Sequence, residues 1–253
     1  MIARTWLVWC LAERGEFDKG MGYAKDAIRI AEESDEPFSL AASIFGAGFL
    51  LLRRGQITES LSVLERSLEV CRTASIGIWL PWVASTTGFA HVLSGRVSEG
   101  LPFMQQAIEK SESMGLMCHF SLRVANLSRT HLLAGKVGEA IPLAHRALDL
   151  SREHKERGHE AWALRLLGEI HSHPEALDPK KAEDHYRQAL ALAEELGMRP
   201  LTAHCRKGLG ALYGRTGREE KARAELTTAI DMYREMEMAY WLEKAETALA
   251  GAG

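Results

Sequence analysis

The chain has no long apolar run, few prolines, few cysteines and no surplus of one charge. Its longest apolar stretch near the start, Trp6 to Leu11, is six residues flanked by Arg4 and by Glu13-Arg14. That is too short for the apolar region of a signal peptide or for a membrane span, so no membrane partner is expected. Seven prolines in 253 residues, with no Ser-rich or Gln-rich tract, exclude disorder over most of the length. A net charge of −3, from 31 basic and 34 acidic residues, lacks the basic stripe of a nucleic-acid binder and excludes that class of partner. The four cysteines, Cys10, Cys71, Cys118 and Cys205, lie 61, 47 and 87 residues apart. No paired metal-ligand spacing exists among them, and they read as reduced thiols of a cytoplasmic protein.

Catalytic signatures are missing as well. Gly15 and Gly20 have the outer spacing of a phosphate loop, but Met21 and Gly22 stand where Lys and Ser or Thr should follow. Gly46-Ala-Gly48 and Gly208-Leu-Gly210 open dinucleotide fingerprints whose third glycine is replaced by Leu51 and Tyr213. His159-Glu160 begins a zinc-helix motif that Ala163 fails to close. Ser98 lacks the glycine elbow that exposes a hydrolase serine. The chain is therefore expected to be no enzyme, with no cofactor and no metal.

What is present is a repeat. Gly15, Gly55, Gly95 and Gly135 are each 40 residues apart, and each ends an apolar helical run. Gly48, Gly88 and Gly168 share the 40-residue grid, with Ser128 as the small substitute. A longer turn from His173 to Pro179 shifts the frame by two residues, after which Gly210 and Gly217 resume it. Between the turns, apolar residues recur at helical spacing, as in Ala222, Leu226, Ala229, Ile230, Tyr233 and Met236. Each unit thus reads as two antiparallel helices joined by a turn in which glycine takes a positive φ at low cost. Six units fit in residues 1–235, and residues 236–253 read as a capping helix and tail, with Trp241, Leu242 and Ala245 on its apolar side.

The small-residue spacing resembles the tetratricopeptide repeat: Leu167-Gly168, Ala182, Tyr186 and Ala189 in one unit, Leu209-Gly210, Tyr213, Ala222 and Ala229 in the next. The resemblance implies an all-α, right-handed α-solenoid of about six such repeats. The 40-residue unit exceeds the family's usual length of about 34, so longer helices or wider turns are expected. The segments His185 to Pro200, Ala203 to Gly210 and Met232 to Met236 are further similar to the C-terminal repeats of large bacterial adenylate or guanylate cyclase–ATPase signalling proteins. That similarity implies a regulatory or sensing arm.

Projected onto the concave face of a solenoid, the first helices present Trp9, Phe45, Phe49, Trp82 and Phe89, then Arg129, Trp162, Arg165, Lys207 and Arg215. A groove aromatic at one end and cationic at the other suits an acidic peptide or a ligand carboxylate, since aromatics and arginine dominate interaction hot spots. The same rings could instead fill the inter-helix core. The expected partner is a protein or peptide; a small effector held in the groove, or a homo-oligomer formed through the Trp6–Trp9 end, are the alternatives. His91, His131 and His171, spaced by 40, read as packing residues. The apolar first helix has no polar cap before it, which suggests that the natural polypeptide continues upstream or that a partner covers this end.

Overall fold

The computed structural model describes residues 2–251, and among these every regular element is helical. Twelve helices form six hairpins: α1 Ile2–Arg14 with α2 Phe17–Glu33, α3 Pro37–Arg54 with α4 Ile57–Thr73, α5 Leu80–Leu93 with α6 Val97–Ser113, α7 Phe120–Leu133 with α8 Val137–Glu153, α9 Arg157–His171 with α10 Pro179–Glu195, and α11 Arg199–Arg215 with α12 Glu219–Glu235. A single helix, α13 Ala239–Ala250, follows. The expected α-solenoid is observed. None of its helices is long and apolar enough to cross a membrane.

The extra length of the repeat lies in its helices. All six second helices, α2 to α12, are 17 residues long. Each buries four positions at spacings of four, three and four residues: Gly20, Ala24, Ala27 and Ala31 in α2, and at the other end Ala222, Leu226, Ala229 and Tyr233 in α12. Most of these residues are small, so the hairpin axes approach closely. Ser60 Oγ donates across the second hairpin to the Gly48 carbonyl at 2.8 Å, and Ser128 Oγ donates to the Ala140 carbonyl at 2.7 Å.

Two families of turn set the stride. Within hairpins the chain reverses at Gly15, Gly55, Gly95, Gly135 and Gly217, all at positive φ between 72° and 96°. Between hairpins a second left-handed residue recurs at Asp35, Ser75, Gly115, Lys155, Gly197 and Glu237. The sequence shows this second grid poorly, because four of its six members are not glycine. The fifth hairpin alone uses a longer turn, with a 3₁₀ segment at Pro174–Ala176.

First and second helices differ sharply in burial. In α3 and α5, 14 of 18 and 12 of 14 residues are buried, against 7 of 17 in α4 and 5 of 17 in α6. A helix buried all round lies inside the molecule. The first helices form an inner layer because the solenoid closes on itself: α1 packs on α11 as well as on its neighbours α2 and α3. Trp162 Nε1 donates to Glu13 across 149 residues of sequence at 3.0 Å, and Tyr240 Oη donates to the Leu93 carbonyl at 3.1 Å. Arg54 pairs with both Asp18 and Glu237. Of the apolar first helix, Val8, Trp9, Leu11 and Ala12 are buried within the chain itself, whereas Leu7 is exposed.

Candidate binding bore

The inner layer packs around a narrow bore, closed but for water-sized gaps, with two chemically distinct halves. The aromatic half gathers Trp6 and Trp9 from α1, Phe45 and Phe49 from α3, Trp79 at the N-cap of α5, and Trp82 within that helix. Trp9 stacks on Phe49 with centroids 3.9 Å apart, Trp6 meets Trp82 edge-on at 5.5 Å, and Phe45 lies 5.8 Å from Trp79. The cationic half holds Arg53, Arg129 and Arg165. Arg53 donates to Glu13 at 2.9 Å and lies over the Trp162 ring at 4.1 Å. Arg165 donates to Glu169 at 2.5 Å, and Arg129 stands 3.1 Å from the other oxygen of the same carboxylate. Arg129 also covers the Phe89 face at 5.5 Å.

The expected groove residues other than Arg215 lie along the inner layer, where they are mostly buried. Phe45, Phe49 and Phe89 are 1–3% exposed, and Trp9, Trp82 and Trp162 only 6–8%. The reason is the closure just described: once α1 meets α11, the concave surface becomes the core of the ring. Lys207 sits half-buried beside Glu169 at the margin of the cluster. Arg215 does not belong to it; that side chain is exposed and donates to the Ser172 carbonyl at 2.6 Å, bracing the long fifth turn.

Electrostatically the bore is incompletely balanced. Four cations, Arg53, Arg129, Arg165 and Lys207, face two carboxylates, Glu13 and Glu169. Burial disfavours ionisation of Glu169, but Arg129 and Arg165 overcome it and hold the carboxyl at about 2. Burial pushes Lys207 down to about 8, with Glu169 opposing and the two arginines adding to the fall. Arg165 Nε is buried with no hydrogen-bond partner among the described residues. Arg53 Nη2 lies 2.9 Å from Glu13 and Arg129 Nε 3.1 Å from Glu169, both at angles that make no hydrogen bond. The three guanidinium groups, with Asn126 and Trp162, line a space of about 20 Å³, room for one water.

At the rim of the aromatic half lies a cluster that sequence reasoning missed. His119 Nδ1 is 3.2 Å from His159 Nε2, and His159 Nδ1 is 3.2 Å from Glu156. Glu156 also accepts from the His119 backbone N–H at 2.9 Å and from Ser121 Oγ, satisfying the N-terminus of α7. His119 itself is left-handed, with φ of 52°. The two histidines are 40 residues apart, at equivalent positions of consecutive repeats. They meet because both project from the starts of inner-layer helices, where neighbouring repeats crowd together. By contrast His91 and His131 behave as expected, buried beside Glu99 and Glu139 in the hairpin turns.

The sequence profile of the tetratricopeptide repeat matches residues 120–195 and 175–235, just under half of the chain. No curated protein matches the sequence. Among solved structures, NprR in complex with its cognate peptide NprX is similar over 97% of this chain and 71% of its own, with a TM-score of 0.74 at 13% identity. A Rap protein complexed with Competence and Sporulation Factor is similar over 99% and 84%, with a TM-score of 0.71 at 13% identity. A signal transduction ATPase with numerous domains and a tetratricopeptide repeat sensor, from Pyrococcus horikoshii, is similar over 93% of this chain but 34% of its own, with a TM-score of 0.61 at 14% identity. At these identities the likeness is one of fold.

Proposed function

We propose that this chain is a protein- or peptide-binding scaffold that takes an acidic side chain of its partner against the cationic cluster by displacing Glu13, as the regulatory or sensing arm of a larger signalling protein. The observation that carries the reading is the charge of the bore: four cations against two carboxylates, in surroundings where unpaired charge is costly. An incoming carboxylate would supply the missing counter-charge and accept the fork-shaped donors that Arg53, Arg129 and Arg165 leave unused. Glu13 already occupies part of that role. It bonds Arg53 and Trp162 from α1, so an acidic ligand would compete with it and loosen the contact that closes the ring. The same-fold NprR complex, which holds a cognate peptide, supports peptide capture as what such a fold can do. The signalling role rests on the sequence resemblance and on the sensor of the same fold in the Pyrococcus ATPase.

Trp162 lies against Arg53 and Arg165 and reports on the site. Titration of the chain with Asp/Glu-rich peptides, followed by tryptophan fluorescence, is expected to give saturable changes that weaken with salt. The same peptides with Asn and Gln in place of Asp and Glu are expected to be silent. Arg165→Ala should reduce the affinity for the acidic peptides at least tenfold. Equal response to the neutral peptides, or none to any acidic peptide, would overturn the reading.

A further inference from the structure

We infer that His119 and His159 form a binding site for a divalent transition-metal ion such as zinc, with Glu156 orienting the second imidazole. Two nitrogens bound to one tetrahedral zinc at 2.0–2.1 Å must lie about 3.3 Å apart. His119 Nδ1 and His159 Nε2 are 3.2 Å apart, so the pair already has the spacing of ligands to a common ion. Glu156 receives His159 Nδ1–H at 3.2 Å, which leaves the lone pair of Nε2 facing His119. A carboxylate behind a ligating imidazole is the usual means of fixing its tautomer and raising its basicity. Binding requires His119 to carry its one ring proton on Nε2 instead of Nδ1, a tautomer change that leaves the ring neutral.

The surroundings fit a cation. Ligand atoms of His119, Glu156 and His159 lie within 4.8 Å of one another, so the Glu156 carboxylate offsets the ion's charge at close range. The nearby guanidinium of Arg123, which lines the same small cavity as His119, donates to the Leu116 carbonyl at 2.6 Å. The side chains are largely but not wholly buried, His159 at 11% and Glu156 at 17% exposed. The site is also rigid. His119 is stacked on Trp6 with centroids 5.4 Å apart and lies 5.0 Å from Trp82. An ion here would join the start of α7 to the start of α9 and press His119 against the α1 aromatics. It would therefore reinforce ring closure, a role separate from acidic-peptide capture.

Calorimetric titration of the full chain with Zn²⁺ is expected to show one equivalent bound, with a rise in the thermal midpoint that a chelator reverses. Co²⁺ is expected to quench tryptophan fluorescence saturably at one equivalent, because Trp6 and Trp82 flank His119. His119→Gln and His159→Gln should each weaken Zn²⁺ binding at least tenfold and abolish the quenching. Glu156→Gln should weaken it by roughly 10–100-fold. If a variant unfolds, the Co²⁺ quenching of the unaltered chain still decides. Absence of saturable quenching, or Zn²⁺ bound equally well by both histidine variants, would overturn the assignment and point to other histidines such as the stacked pair His171 and His185.

Discussion

At Gly168 an added Cβ would stand 2.8 Å from the Tyr186 ring, a distance that real Cβ contacts do not reach. Gly168→Leu should therefore cost roughly 1–3 kcal/mol, read as a lower urea midpoint with an unchanged slope. The cost arises because Tyr186 is itself fully enclosed and has no space into which to retreat. Glu169 is the opposite case, a side chain needed for its charge. It is shared by Arg129 and Arg165, and Glu169→Gln would leave both guanidinium groups without a counter-ion in the bore. The expected cost is on the order of 3 kcal/mol. Acidic peptide, by restoring the charge, should stabilise this variant more than it stabilises the unaltered chain. A thermal-shift comparison with and without peptide tests both halves of that statement.

Among the elements, the turns between hairpins hold removable strain. Asp35, Ser75, Lys155 and Glu237 occupy left-handed backbone that costs a residue with a Cβ roughly 1–2 kcal/mol. Glycine avoids that cost but loses about 0.5–1 kcal/mol of unfolded-state freedom. Lys155→Gly and Ser75→Gly are thus expected to raise stability by about 0.5–1 kcal/mol each. Because the two turns are a full repeat or more apart, their effects should add in denaturant titrations of the double variant. The second helices impose the complementary constraint: small residues at fixed spacing set how near the two axes of each hairpin come.

For the whole molecule, ring closure determines both stability and access. Glu13 is the hinge of that argument, since it links α1 to Arg53 and Trp162. Glu13→Gln should loosen the contact of the first hairpin with the second and fifth, seen as a larger radius of gyration in small-angle scattering. It should also increase affinity for acidic peptides, because the internal competitor is gone. Closure makes the fold acid-sensitive as well. Burial, together with Arg165, Arg129, Lys207 and Arg53, holds His204 well below 6.5, where it hydrogen-bonds Tyr233 at 2.7 Å and contacts Trp162 and Trp241. His91, His131, His171 and His185 are lowered too, chiefly by burial. As pH falls below about 6.5 the unfolded chain takes up protons that the folded chain refuses, so stability is full above that value and declines beneath it. Thermal midpoints measured from pH 7.5 to 5 should fall steadily, and less so in His204→Gln.

The 40-residue grid of Gly15, Gly55, Gly95 and Gly135 was enough to establish helix hairpins, their number and the two-residue slip in the fifth. These follow from local causes: backbone freedom at turns, helical spacing of apolar residues, and small side chains where axes approach. The membership of the inner face was likewise legible, because residues at equivalent repeat positions must point the same way; Trp9, Phe49, Trp82, Arg129 and Trp162 share it as expected. Whether that face was groove or core was not, nor was the meeting of His119 with His159. Both depend on how a small rotation per repeat accumulates over six repeats until α1 reaches α11. No single repeat contains that sum, and only the folded ring reveals that residues as distant as Glu13 and Trp162 touch.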